Sequence, residues 1–174
     1  GLNVDKFHGS RDYYRIRNKE FTFEIVPVLK IKKSSEAKNV TDASPLHVKW
    51  VMSHGKKFQK DIRLAKMFCK SLKIYGAESF IGGFSGHTLD ILIIHYSGFK
   101  KFLARVAKWG DKIVIDPEKH YSTNPLRYLN KSKTEGPLVI VDPLDKTRNS
   151  AAAVRKEAFE KMKTGARKFL KKPS

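Results

Sequence analysis

A glycine-rich turn, Gly82-Gly83-Phe84-Ser85-Gly86, follows Lys66 and Tyr75 and precedes Asp142-Pro143-Leu144-Asp145-Lys146-Thr147-Arg148-Asn149. Lysine offers phosphate a compact point charge, and arginine offers a planar fork of donors. Serine, histidine and tyrosine donate at short range. Ser44, in Ser44-Pro45-Leu46-His47, is a helix-start residue followed by proline, and the oriented N–H groups of a helix start favour anions. Glu24 sits mid-strand between Phe23 and Ile25. One carboxylate cannot hold a two-metal centre, because hard magnesium sites need several oxygens. Each residue also has a plainer reading. Glu24 can face solvent on an alternating strand, and His47 can be a capped or surface histidine. Lys66 can be one more member of a solvated basic face. Arg148 can be a salt-bridged arginine at a helix start, oriented by Asp142 or Asp145. The glycine turn is too short for a Walker loop and lacks the following lysine, so it reads as a tight helix entry. Gly9-Ser10 reads as an ordinary turn.

These residues need a frame to position them. Residues 11–18 and 20–31 predict two strands joined at Asn18-Lys19, with Phe21, Phe23 and Ile25 alternating against Thr22, Glu24 and Val26. Pro27 predicts the end of the ladder or an edge. A hairpin alone is marginal in water, so this one expects more sheet. Residues 32–43 read as loop and 44–109 as mainly helical. Phe58, Ile62, Ala65, Cys69 and Leu72 make one apolar face, and Lys56, Lys60, Arg63, Lys66, Lys70 and Lys73 line another. Leu89, Leu92, Ile93 and Tyr96 predict a short helix, broken at Ser97-Gly98. Phe99, Phe102, Leu103, Val106 and Trp109 predict the next. Residues 112–116 and 137–142 predict short strands. A last amphipathic helix is expected from about Asn149, marked by Val154, Ala158, Met162, Ala166 and Phe169. The expected class is α+β.

The 174 residues are 40% apolar, enough for a packed core. There are 36 Lys+Arg against 17 Asp+Glu, a formal net charge of +19. Such a charge attracts polyanions and makes association salt-sensitive. It places nucleic acid first among partners and an anionic membrane surface second. No apolar run reaches the roughly 18 residues of a membrane span, and no signal-peptide pattern opens the chain. The single cysteine, Cys69, excludes an intrachain disulfide and a cysteine-based zinc site. A cytoplasmic protein is the expectation.

Taken in this order and spacing, the four segments (Ser44-Pro45-Leu46-His47, Tyr75-Gly76-Ala77-Glu78, the glycine turn, and Asp142 to Asn149) resemble the archaeal-type, class I, CCA-adding tRNA nucleotidyltransferases. That family rebuilds the tRNA 3′ end from CTP and ATP without a template. The resemblance covers most of residues 20–160 and departs at Leu46, where the family usually has an aromatic. It implies that Ser44, His47, Lys66 and Tyr75 contact the sugar and triphosphate of the incoming nucleotide. It implies that Arg148 reads the base together with a tRNA phosphate. It implies that Glu24 is the third carboxylate of a Mg2+ site whose other two have no counterpart here. Residues 1–33 would be the C-terminal part of a nucleotidyltransferase palm. Residues 34–174 would be a mainly helical domain of the poly(A)-polymerase/oligoadenylate-synthetase kind that binds nucleotide and tRNA.

The expected partners are the tRNA 3′ end and acceptor stem, CTP and ATP, with a second chain or further segments completing the enzyme. This chain alone is expected to be inactive, because the Gly-Ser loop and Asp-x-Asp pair are missing. Two alternatives stand beside this reading. One is a non-catalytic basic RNA-binding module. The other is part of a different template-independent polymerase, such as a poly(A) or oligoadenylate synthetase. Lys30, Lys32, Lys33, Lys100, Lys101, Lys168, Lys171 and Lys172 are expected to be mostly solvated, with some tracking the acceptor stem.

Overall fold

A computed structural model describes residues 3–9 and 11–173. The chain is mixed helix and sheet and divides into two compact units, Gly1–Lys49 and Trp50–Ser174.

In the first unit, β1 (Val4–Phe7), β2 (Tyr13–Asn18) and β3 (Phe21–Ile25) form an antiparallel sheet of order β1-β2-β3. The hairpin expected from sequence is therefore a three-stranded sheet. The missed strand is only four residues long, and in Val4-Asp5-Lys6-Phe7 the two charges sit side by side, so it shows no alternation. β3 stops at Ile25, before Pro27, whose ring nitrogen has no hydrogen to give a ladder. The Gly9-Ser10 turn lies partly outside the described residues, because Ser10 is not among them. Register stacks Val4, Ile16 and Phe23 across the sheet, and Lys6, Tyr14 and Ile25 in the next row. Phe21, Phe23 and Ile25 are more than half exposed, so this apolar face has no covering layer among the described residues.

The segment after β3 is tied down by one side chain. The buried carboxylate of Asp42 accepts from the backbone N–H of Leu29 (2.8 Å), Lys38 (3.1 Å) and Asn39 (3.0 Å). Arg11 Nη2 pairs with it at 2.7 Å. The Leu29 N–H does most to hold the Asp42 carboxyl below the usual carboxylate range. Asn39 in turn caps the short helical turn Val40–Ala43, and α1 (Ser44–Gly55) starts directly after it with Pro45 in its first turn.

The second unit packs its helices around a main core, beside a smaller cluster of Leu129, Val139 and Val141. α2 (Gln59–Ser71) buries Ile62, Ala65 and Cys69, as its spacing predicts. α3 (Gly86–His95) buries apolar residues nearly all round, and α4 (Phe99–Val106) buries Phe99, Phe102, Leu103 and Val106. β4 (Ile113–Ile115) and β5 (Leu138–Ile140) pair in parallel. α5 begins at Lys156, not near Asn149, and runs to Lys171. The intervening residues turn because Asn149 is occupied elsewhere. Its Oδ1 accepts from the N–H groups of Ile140 and Ala151, both at 2.9 Å, and its Nδ2 donates to Lys133 O at 2.8 Å. An asparagine used this way competes with a helix. No helix of the described residues is long and apolar enough to cross a membrane.

Because the folded-state pKa of Asp42 is depressed, its contribution to stability is present above the unfolded value and lost as pH falls through the folded one. Asp42→Asn should therefore lower the Tm at neutral pH. The deficit should close as pH drops below the usual carboxylate range. A thermal melt series from neutral to acid pH reads this, and a pH-independent deficit would contradict it.

Candidate functional site

In the second unit the site is built around the N-terminus of α3. Tyr75 and Phe84 form an isolated parallel bridge, with Gly76 N–H to Phe84 O at 2.9 Å and Phe84 N–H to Ile74 O at 2.8 Å. Gly83 lies so close to the Ile74 carbonyl that an added Cβ would collide with backbone, which is why the turn needs glycine there. The bridge sets Tyr75 beside the start of α3. A Cβ at Gly86 would stand 3.1 Å from Tyr75 Oη and 3.7 Å from Lys66 Nζ. Gly86 therefore keeps the space between these two side chains and the helix end open.

Ser85 caps α3. Its Oγ accepts from Thr88 N–H at 3.1 Å and lies 2.8 Å from Thr88 Oγ1. Thr88 Oγ1 donates to Ser150 O at 2.7 Å, which fastens the helix start to the loop that carries Arg148. That loop folds back on β5 through Asp142 N–H to Arg148 O at 3.0 Å and Ser150 N–H to Ile140 O at 2.8 Å. Its centre is Asp142, fully buried. Asp142 Oδ2 accepts from Arg148 Nη1 at 2.6 Å and from Ser150 Oγ at 2.8 Å, and Oδ1 accepts from Leu144 N–H at 2.9 Å. Asp142, not Asp145, thus orients Arg148. Asp145 accepts instead from Thr147 N–H and Oγ1. Arg148 keeps 34% of its side chain exposed. His87 Nε2, next along α3 from Gly86, lies 3.9 Å from Asp142 Oδ2.

Lys66, Tyr75 and Arg148 are therefore gathered about one helix end, where oriented N–H groups add to the positive field. Lys66 does not extend with the solvated stripe of α2. Its Nζ pairs with Asp90 Oδ1 at 2.9 Å. Burial pushes the Asp90 carboxyl up, and the Lys66 ammonium pulls it partly back. Asp90 and His87 escaped the sequence reading. The signal for them was their place in the helix that the glycine turn opens: Asp90 follows Gly86 by one turn.

Ser44, His47 and Glu24 lie in the first unit. Ser44, exposed, and His47, half-buried, stand in the first turn of α1. Glu24 points to the charged face of the sheet, where Arg15 donates to its Oε1 from Nη2 (2.6 Å) and Nε (3.2 Å). In register the row reads Asp5, Arg15, Glu24. A guanidinium stands between the two carboxylates, and among the described residues β3 has no further strand on its other side. This donor set does not fit a divalent-metal centre, which needs several oxygens converging on one point.

A family model described as "tRNA nucleotidyltransferase, second domain" matches residues 60–174. The chain belongs to this family. It is 45% identical to the CCA-adding enzyme of Nanoarchaeum equitans over 156 residues, covering 88% of this chain and 40% of that protein. It is 36% identical to the CCA-adding enzyme of Pyrobaculum aerophilum over 176 residues, covering 100% and 40% respectively. For the CCA-adding enzyme of Saccharolobus solfataricus the identity is 34% over 174 residues, covering 99% and 40%. The chain thus spans about 40% of the length of these relatives. All three are archaeal, as the four sequence segments led us to expect, and the matched stretch holds Lys66, Tyr75, the glycine turn and Arg148.

Asp90 supplies a direct test of the Lys66 pairing. Lys66→Met removes the group that lowers the Asp90 pKa, so that pKa should rise further. The raised form favours the neutral acid, so the variant loses stability as pH rises through the Asp90 titration. At neutral pH the loss should be about 1–3 kcal/mol, the range for a charged hydrogen-bonding partner. It should vanish in acid, where Asp90 is protonated in both proteins. Denaturant melts at two pH values measure it, and an equal loss at both would show that Lys66 acts by packing alone.

Proposed function

We propose that this chain is the nucleotide-binding and tRNA-end-binding part of a CCA-adding tRNA nucleotidyltransferase, joining the C-terminal edge of the catalytic palm (residues 1–33) to the second domain (residues 34–174). The observation that carries this reading is the cluster of Lys66, Tyr75 and Arg148 at the N-terminus of α3, in a chain of this family. CTP and ATP share a triphosphate and differ in the base, so a site that serves both needs a shared part and a discriminating part. Lys66 and the α3 N–H groups supply the shared part. On triphosphate arrival Lys66 turns from Asp90 to phosphate, and the buried Asp90 is left able to take up a proton. Tyr75 Oη donates beside it. Arg148, held by Asp142 through Nη1, supplies the discriminating part, because a fixed planar fork can meet a base edge and a phosphate together. Ser44 and His47, at the start of α1, are assigned to the sugar and triphosphate by their match to the family segment.

In the complete enzyme the reaction is attack of the terminal ribose 3′-hydroxyl, losing its proton, on the nucleotide α-phosphate, with the α–β bond broken and pyrophosphate released. Glu24 is the position that corresponds to a palm carboxylate, but its engagement by Arg15 leaves it unsuited to metal on its own. The uncovered apolar face of the first-unit sheet suits a layer contributed by the rest of a palm. The excess positive charge suits tRNA, whose phosphates supply affinity without sequence.

Lys66→Ala should weaken CTP and ATP binding alike, by about tenfold, since it meets the phosphates. Arg148→Ala should change the ratio of the two affinities, since it meets the base. Isothermal titration of each nucleotide against each variant decides this. If Arg148→Ala leaves the ratio untouched and only lowers the Tm, the arginine is structural and the pocket is misplaced.

With tRNA, binding should weaken steeply as salt rises, as counterion release requires. The isolated chain should incorporate neither CMP nor AMP. Magnesium-dependent incorporation by the chain alone would overturn the reading that Glu24 alone cannot hold the metal site.

A further inference from the structure

A groove of about 410 Å³ runs between α2 and α5, lined on α2 by Leu64, Met67, Phe68 and Leu72 and on α5 by Gly165 and Phe169. Its floor is preformed. Phe68, Phe99 and Phe169 meet pairwise edge to face, with ring centroids 5.7–5.8 Å apart. Gly165 lets the two helices close: a Cβ there would stand 2.6 Å from Leu72 Cδ1 and 3.3 Å from Phe68 Cζ. The walls are aliphatic and open, with Leu64 48% and Met67 66% exposed. From Leu64 to Leu72 the groove follows α2 for about 12 Å, roughly two helical turns.

The charge around it has one sign. Neither residues 62–73 nor residues 161–172 contain an acidic residue, and both stretches are rich in lysine and arginine. Lys168 and Lys172 line the groove itself. The acids that approach these helices are engaged. Asp61 accepts from Phe99 N–H, Asp90 pairs with Lys66, and Glu160 pairs with Lys163.

We infer that this groove is the docking site for an acidic amphipathic helix of a protein partner. A slot two turns long with an apolar floor matches the i, i+3, i+4, i+7 stripe of such a helix. Its flanking acids would meet a rim with no acid to repel them. Nucleic acid fits less well. Bases stack on open aromatic faces, and here the aromatic rings are packed against one another while the open surface is leucine and methionine. Methionine suits a surface that receives a peptide. The groove is distinct from the α3 site, so losses here and losses of nucleotide affinity in Lys66→Ala separate the two readings.

The test uses a labelled peptide of about 18 residues, long enough to form a helix on binding, with leucines at i, i+3, i+4 and i+7 and glutamates elsewhere. Fluorescence anisotropy should show binding to the full chain. Changing the leucines to alanine should weaken it about tenfold or more, as expected for anchors in a central pocket. Changing the glutamates to lysine should abolish it. Met67→Glu and Leu64→Glu, both at exposed positions and checked by circular dichroism, should weaken the acidic peptide similarly. Met67→Leu should not. Equal binding of the leucine and alanine peptides would reduce the interaction to bulk charge and overturn the proposal. So would unchanged binding in both glutamate variants. A single-stranded RNA that displaces the peptide and loses its own affinity in Met67→Glu would assign the groove to nucleic acid instead.

Discussion

The second unit depends on a carboxylate that has been taken out of water. Asp142 is fully buried and ionisable, and a buried charge is costly unless it is paired and hydrogen-bonded. The loop from Asp142 to Ser150 is shaped by meeting that demand. Leu144 N–H closes a tight turn on one oxygen, and Arg148 and Ser150 converge on the other. Orienting Arg148 is therefore a by-product of satisfying Asp142, and the arginine gains a fixed direction without a helix to hold it. The same loop reaches α3 through Ser150 O and Thr88, so the buried charge also sets where the helix start stands relative to the arginine.

Lys66 is organised on a different principle. Its partner Asp90 is less deeply buried, and burial and the lysine push the Asp90 carboxyl in opposite directions. Such a pair is poised, because the ammonium can exchange a carboxylate for a phosphate at small cost and the carboxyl can become neutral when it is left behind. A fixed arginine and an exchangeable lysine at one helix end fit a ligand with one variable part and one constant part. Gly83 makes that arrangement possible by letting backbone approach closer than any Cβ allows, and Gly86 leaves room beside Tyr75 Oη.

The helical periods were legible because each buried face follows from local spacing: Ile62, Ala65 and Cys69 on α2, then Phe99, Phe102, Leu103 and Val106 on α4. The glycine turn and the Arg148 loop were legible as landmarks, through their resemblance to a family. What sequence could not supply was partnership. Nothing local says that Asn149 gives its side chain to Ile140, Ala151 and Lys133, so the helix was expected to begin there when it begins at Lys156. Nothing local says that Lys66 leaves the basic stripe of α2 for Asp90. β1 was missed because four residues with two charges carry little periodic signal, and its pairing with β2 is specified across the sheet.

Glu24 marks the boundary between what a motif can say and what a site requires. Its strand and its place in an alternating pattern resemble a catalytic segment, yet its side chain is paired with Arg15, its direct cross-strand neighbour. Opposite charges facing each other on adjacent strands stabilise a sheet, and that role is complete without any metal. For Glu24 to serve a metal, further oxygens would have to join it against a guanidinium that donates twice to Oε1, and the described residues of the first unit place none beside it in the ladder. The same unit leaves Phe21, Phe23 and Ile25 uncovered on its other face. The two features make separate demands: a layer on the apolar face would bury the exposed rings, whereas drawing Glu24 from Arg15 needs oxygens on the opposite, charged face.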